Sequence, residues 1–271
     1  MIHKYALPSA DIAGTATSVV ASTSGSPATS DEDAEYPGIN MVAPTNTGHL
    51  NLPSRPAKLT TLSGSWLITF PSSVTLVGAA LIYHNLDAGL DVSLDPTAGT
   101  PIDFTIPAAW ENGWWPSPWM EFAAQSATTW TLSINAANSV APQVGRLLLY
   151  ESGGIQTFST DVRFGEVEAE DQGQIEHVTE AGVETLYELW GPRRSFSGDL
   201  GLLDSEATEL QTLYRTARNR IQPWLLIPDA AVNDAWLVRF DNTNWERTRS
   251  NPNFNSFPFR VTELSRGLPW P

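Results

Sequence analysis

Trp130-Thr131-Leu132-Ser133-Ile134 and, after a short break, Gln143-Val144-Gly145-Arg146-Leu147-Leu148-Leu149-Tyr150 are the two runs on which the fold of this 271-residue chain turns. Both alternate or bunch aliphatic, β-branched and aromatic residues, the pattern of strands, and Asn138 and Pro142 punctuate the gap between them. They read as a strand pair closing an antiparallel sandwich. That points to a surface-binding module rather than to an enzyme.

Working outward, Ser63-Gly64-Ser65-Trp66-Leu67-Ile68-Thr69-Phe70 and then Val74 to Leu86 form an earlier pair of the same kind. Strands are expected at Trp66–Phe70, Val74–Tyr83, Asp91–Leu94, Thr129–Ile134 and Val144–Tyr150, with turns at Pro71-Ser72-Ser73 and Asp95-Pro96. No helical period competes in this region, so a βαβ arrangement lacks its helices. The first forty residues are mostly Ala, Ser, Thr, Gly and acids, which offer little to bury. They read as an extended arm that is either a disordered tail or ordered against a neighbouring subunit or the second domain, with Tyr5-Ala6-Leu7 able to add a strand. The expected organisation is an arm over 1–39, a β-sandwich over 40–152 and a β-rich second domain over 153–271.

Composition bounds the rest. At 41% hydrophobic, 271 residues are ample for two cores. No run approaches eighteen apolar residues and Met1-Ile2-His3-Lys4-Tyr5 has no long apolar segment, so neither membrane insertion nor an export signal is expected. With no cysteine there are no disulfides and no thiolate metal sites, and His3, His49, His84 and His177 have no ligand-like spacing with carboxylates. No metal or cofactor is expected. A formal charge of -15 argues against nucleic acid, whose phosphates need a surplus of Lys and Arg.

Four tryptophans fall within ten residues in Trp110-Glu111-Asn112-Gly113-Trp114-Trp115-Pro116-Ser117-Pro118-Trp119, broken by Gly and Pro as a loop is. Flat indole faces stack on sugar rings, and a proline-stiffened loop holds them at low entropic cost. Trp110, Trp114, Trp115 and Trp119 are therefore the carbohydrate-binding candidates, the alternative being that they plug one end of the sandwich or pack on the second domain. The carboxylates Glu166, Glu168, Glu170, Asp171, Glu176, Glu180, Glu184 and Glu188 match no calcium-loop spacing and read as a solvated hairpin face rather than a catalytic pair. No catalytic residue is assigned.

The second domain contains one convincing helix, about Ser205 to Asn219, capped by Asp204, with Leu210, Leu213, Tyr214, Ala217 and Ile221 as its apolar stripe. Pro223 ends it, and short strands follow at Trp224–Ile227, Trp236–Phe240 and Phe257–Thr262. Before residue 140 the only basic residues are Lys4, Arg55 and Lys58, whereas ten arginines sit among aromatics from Arg193 onward, a composition enriched in interfaces. Arg193, Arg194, Trp224, Trp236 and Arg239 are the assembly-interface candidates.

The Ser63–Phe70 pair, the phrase Tyr83-His84-Asn85-Leu86 and the Gly145-Arg146-Leu147 ending resemble galactose-binding-like (discoidin-type) jelly-roll domains. The later order is similar to phage tail proteins of the distal-tail or baseplate kind: Arg193-Arg194-Ser195-Phe196-Ser197-Gly198, a helix from Asp204, a Pro-Trp-aliphatic strand ending Pro228-Asp229, and Trp236 to Phe240. That resemblance implies a virion structural protein of the tail tip, built in host cytoplasm as a homo-oligomeric ring. Its implied partners are the tail tube, the hub and neighbouring copies. The alternative is a glycan-binding adsorption protein whose tryptophans meet host surface sugars, with a calcium ion able to stabilise the sandwich as in some such folds. A glycoside hydrolase is the third expectation.

Overall fold

The computed structural model describes residues 4–6, 11–23, 26–28, 31–42, 56–107, 117–157, 167–178, 184–202, 204–217, 223–228, 235–241, 247–251 and 254–264. It is mainly β, with one α-helix among the described residues. The strands in chain order are β1 (Lys4–Ala6), β2 (Ser18–Ser22), β3 (Ala57–Lys58), β4 (Gly64–His84), β5 (Asp91–Pro96), β6 (Ile102–Thr105), β7 (Trp119–Ile134), β8 (Gln143–Glu151), β9 (Ile155–Thr157), β10 (Val167–Val178) and β11 (Glu184–Leu202). The helix α1 (Asp204–Thr216) precedes β12 (Trp224–Ile227), β13 (Trp236–Phe240), β14 (Thr248–Asn251) and β15 (Phe254–Glu263). Contacts divide the chain into two compact units, His3–Thr157 with Leu225–Trp236, and Phe158–Trp224 with Leu237–Pro271.

The first unit is built on one antiparallel sheet in the order β3-β8-β4-β7-β5-β6, with β2 also on β4. β4 has two different neighbours on the side away from β7: β2 along Ser65–Thr69 and β8 from Leu76 to His84. Register shifts between Thr69 and Val74, and again between Leu76 and Gly78, mark where β4 and β7 bend together. The Pro71-Ser72-Ser73 segment, expected as a turn between two strands, is instead this corner within one 21-residue strand. The sheet thus folds on itself into a sandwich. Residues from both halves of β4, Trp66, Ile68 and Phe70 on one side of the corner and Leu76, Ala79 and Leu81 on the other, share a single core.

Alternation explains which face is buried. Ala21, Trp66, Leu132, Leu94 and Ile102 stand in register across β2, β4, β7, β5 and β6 and point inward. One residue along, Ser22, Ser65, Ser133, Ser93 and Asp103 form the row on the opposite face, where Asp103 is exposed, Ser65 and Ser133 are half-buried and Ser22 and Ser93 are buried. A one-residue slip would exchange these rows, so the register is strongly specified.

β8 is buried from Gln143 to Tyr150, and Arg146 lies within it, 4% exposed. Its Nη2 donates to Asp11 Oδ2 at 3.2 Å, while Asp11 Oδ1 accepts the N–H groups of Ala13 and Leu149, each at 3.0 Å. Burial pushes the Asp11 carboxyl above its ordinary 3.8, opposed by the Arg146 charge and the two backbone donors. Burial, then the Asp11 charge, pushes the Tyr150 hydroxyl well above 10.0, against Arg146.

The described residues among the first forty do not form a separate arm. β2 pairs with β4, Ala13, Val19 and Ala21 belong to the sandwich core, and buried Glu32 accepts hydrogen bonds from the N–H groups of Ala21 (2.8 Å) and Gly38 (3.0 Å). Low-complexity composition hid this because small residues suit a strand packed closely against a long neighbour. β1 pairs with β9 on one side and with β12 on the other, so Leu225–Ile227 join the first unit although 153–271 was expected to be one domain.

The second unit holds β10-β11-β15-β13 with β14 on β15. α1 buries Ala207, Leu210, Leu213 and Tyr214, and Ala217 is buried just beyond it; of these, Leu210, Leu213, Tyr214 and Ala217 belong to the stripe expected from the sequence. Asp204 begins the helix and accepts from Arg247 Nη2 (2.6 Å), Arg249 Nη2 (3.2 Å) and Asn255 Nδ2 (2.8 Å), tying it to β14 and β15. The expected residues of the helix beyond Ala217, including Ile221, lie outside the described residues.

Candidate binding site at the loop end of the sandwich

Both ends of β4 meet at one side chain. Asn138, 1% exposed, lies between β7 and β8; its N–H donates to Leu62 O at 2.8 Å, just before β4, and its Nδ2 donates to Asn85 O at 3.1 Å, just after it. A straight strand of this length would hold those points about 70 Å apart. The corner returns the chain to its starting end, where the connections around residues 59–63, 85–90 and 135–142 converge.

That end is locked by polar side chains. Asn138 Oδ1 accepts the Asp87 N–H at 2.7 Å, and its Nδ2 also donates to Val140 O at 2.9 Å. Asn85 Nδ2 donates to Ala141 O at 3.0 Å while its Oδ1 accepts the Gln143 N–H at 2.7 Å. The Asp87 carboxylate accepts the Ser139 hydroxyl at 2.7 Å and its N–H at 2.5 Å. His84, buried at the strand end, accepts the Leu86 N–H on Nδ1 at 3.1 Å, so its role here is to shape the chain as it leaves β4. The preceding Tyr83 has φ 54, a left-handed conformation that a bulky residue holds only where its surroundings enforce it.

The described residues on either side of the tryptophan-rich segment are each held by backbone hydrogen bonds. Ile106 is tied to the 87–90 turn by its N–H to Leu90 O (2.9 Å) and by the Gly89 N–H to its carbonyl (2.9 Å). On the other side Pro118 O accepts the Leu81 N–H at 3.2 Å and Ser117 O accepts the Ala235 N–H at 2.9 Å. Trp110, Trp114 and Trp115 themselves lie outside the described residues. Leu62 and Val140, 47% and 52% exposed, are apolar side chains presented beside the Asn138 network. Nothing in the sequence singled out Leu62. Asn138 appeared only as punctuation, although an Asn on each side of a strand pair is a fair sign of a locked connection.

Trp119 does not belong with the other three. It is 2% exposed, opposite Ala80 in the ladder, with its ring centroid 6.0 Å from that of Tyr150. Its face is already covered by protein, so it is a core residue rather than a sugar platform. The assembly candidates need a similar correction. Arg194 is 5% exposed and makes a bidentate pair with Glu263, both bonds 2.9 Å. Trp224 is fully buried against Phe240 and Phe259, at centroid distances of 5.0 and 6.1 Å, and Trp236 is 5% exposed. These three are internal to the chain. Arg239 is half-buried on β13 opposite Thr262, and Arg193 stands opposite Asp171 in the β10–β11 register. Among the described residues no group of three His, Asp or Glu side chains is placed to hold a metal ion.

Fold and loop end together define a β-sandwich protein whose connections around Asn138 are locked by polar side chains. No protein-family model and no curated protein sequence matches this chain. Solved structures similar to part of it include chitosan-binding module 1 of a chitosanase/glucanase from Paenibacillus sp. IK-5, with 12% identity and a TM-score of 0.36 over 52% of this chain and 98% of that one. A family 32 carbohydrate-binding module from C. perfringens NanJ in complex with galactose matches at 12% identity and a TM-score of 0.36, over 55% of this chain and 99% of its own. The lectin binding domain of Lectinolysin complexed with Lewis b matches at 10% identity and a TM-score of 0.37, over 52% and 96%.

Proposed function

We propose that this chain binds carbohydrate through the loop end of its sandwich, with Trp110, Trp114 and Trp115 as stacking platforms. The observation that carries this is the anchoring of the tryptophan segment: Ile106 and Pro118 are both hydrogen-bonded to residues around the end of β4, beside the Asn85–Asp87–Asn138 lock. A sugar ring offers an apolar face of C–H groups and a rim of hydroxyls. Indoles with Leu62 and Val140 suit the first, and the polar groups of the neighbouring connections suit the second. Anchored stems lower the ordering cost that a free loop would incur on binding.

A virion-tail role with tail-tube, hub and ring partners rests on the sequence resemblance alone, and the burial of Arg194, Trp224 and Trp236 removes three of the surface anchors expected for it. Host adsorption through a surface glycan is the form of that role consistent with the loop end. The test is a glycan array carrying galactosides, fucosylated oligosaccharides and chitosan oligomers. Selective retention of the folded chain is the expected result; absence of binding to every glycan by protein with an intact unfolding transition contradicts the reading.

A further inference from the structure

Asp31, Asp87 and Asp91 stand around the loop end of the sandwich, each tied to one of its connections. Asp31 O accepts the Thr60 N–H at 3.1 Å, the Asp87 N–H donates to Asn138 Oδ1 at 2.7 Å, and Asp91 O accepts the Asn135 N–H at 3.2 Å. Their carboxylates hold uncharged donors of the chain itself: Asp31 Oδ2 accepts the Thr23 N–H at 2.8 Å, Asp91 Oδ1 accepts the Thr105 hydroxyl at 2.8 Å, and Asp87 accepts both Ser139 groups. Neutral donors leave the negative charge of all three uncancelled.

Positive charge in this part of the chain is committed elsewhere. Up to residue 157 the Lys and Arg residues are Lys4, Arg55, Lys58 and Arg146. Lys4 pairs with Glu121, Lys58 with Asp33 at 3.4 Å, and buried Arg146 with Asp11; Arg55 lies outside the described residues. The connections over 59–63 and 135–142 are uncharged in sequence and present Leu62 and Val140, and the one charged residue of the tryptophan-rich segment is Glu111. A sugar carboxylate or sulfate is bound by cations or by donors aimed at it, and at this end it meets like charge instead. We propose that the loop end discriminates against acidic glycans: it takes uncharged sugars and rejects sialylated, uronic or sulfated ones, with Asp31, Asp87 and Asp91 as the repelling groups. Specificity of this kind comes from a repulsive element as much as from attractive contacts. The inference rests on the sugar-binding reading above and adds the class of sugar.

The test is binding of the full chain to galactosides, fucosylated oligosaccharides and N-acetylglucosamine oligomers, each beside its sialylated or sulfated counterpart. At 0.1 M salt the parent is expected to hold the uncharged member of a pair on the order of tenfold more tightly or better. The gap should shrink at 1 M salt, where the screening length falls from about 10 Å to about 3 Å. Asp31→Asn/Asp91→Asn removes two charges while an amide oxygen can still accept from Thr23 and Thr105, and should narrow the gap at low salt. Val140→Arg places a cation on an exposed position and should raise affinity for the acidic members. A parent that binds acidic members as tightly as their uncharged counterparts, or a gap that both variants leave unchanged, overturns the discrimination and leaves sugar binding standing. A folded parent that retains no glycan of either kind overturns both. Should the asparagine variant not fold, Val140→Arg decides: a narrowed gap supports the proposal and an unchanged one overturns it.

Discussion

Asn138 shows how much one side chain organises here. It receives one hydrogen bond and donates two through its amide, all within a site 1% exposed, so truncation strands the Asp87 N–H and two carbonyls. Asn138→Ala is expected to cost about 2–3 kcal/mol, measured by urea unfolding; a cost below about 0.5 kcal/mol would show that water replaces the amide. Arg146 and Asp11 pose a different case, because burial costs both charges their hydration while only one Arg contact and two N–H groups compensate Asp11. Arg146→Met should destabilise by about 3–5 kcal/mol. Adding Asp11→Leu should recover part of that loss, since both desolvated charges are then gone. A double variant no more stable than the single one would mean that the pair contributes more than its desolvation costs.

At the scale of elements, Gly78 sits where β4 leaves its corner, and an added Cβ would lie 2.7 Å from Ile155 Cδ1, 2.9 Å from Trp119 Cη2 and 3.3 Å from Met120 O. Gly78→Ala should lower stability by about 1–3 kcal/mol, whereas an unchanged unfolding midpoint would mean that this packing yields easily. The start of α1 is held by charge. The hydrogen bond from Asn255, with Arg249 and Arg247, lowers the Asp204 carboxyl below 3.8, so its contribution is complete above that value and is lost as pH falls through the lowered one. Thermal midpoints of the parent and Asp204→Asn should therefore differ at neutral pH and converge in acid; a constant gap would contradict this role.

The strands were legible wherever alternation was strong. Trp66–Phe70, Thr129–Ile134 and Val144–Tyr150 all fall within observed strands. The first part of β7, Glu121–Thr129, is rich in Ala, Gln, Ser and Thr, and its pairing with the second half of β4 decides its state more than its own propensity does. The corner of β4 escaped notice because Pro71-Ser72-Ser73 carries the chemistry of a turn, and only the common core on either side shows that the strand continues.

For the whole molecule, linear boundaries were the weakest expectation. A strand as short as β1 or β12 has no local signature that names its partner, so the membership of Leu225–Ile227 in the first unit follows from pairing alone. Of the four clustered tryptophans that marked the expected site, Trp119 is a core residue, and Trp110, Trp114 and Trp115 lie outside the described residues. The most direct measurement is glycan affinity and the thermal transition of the Trp114→Ala/Trp115→Ala double variant, beside Trp119→Ala. The account predicts that the double variant loses binding by on the order of a hundredfold or more while melting as the parent does, and that Trp119→Ala melts earlier. A double variant that binds as tightly as the parent, or that unfolds, would contradict a sugar-binding loop end.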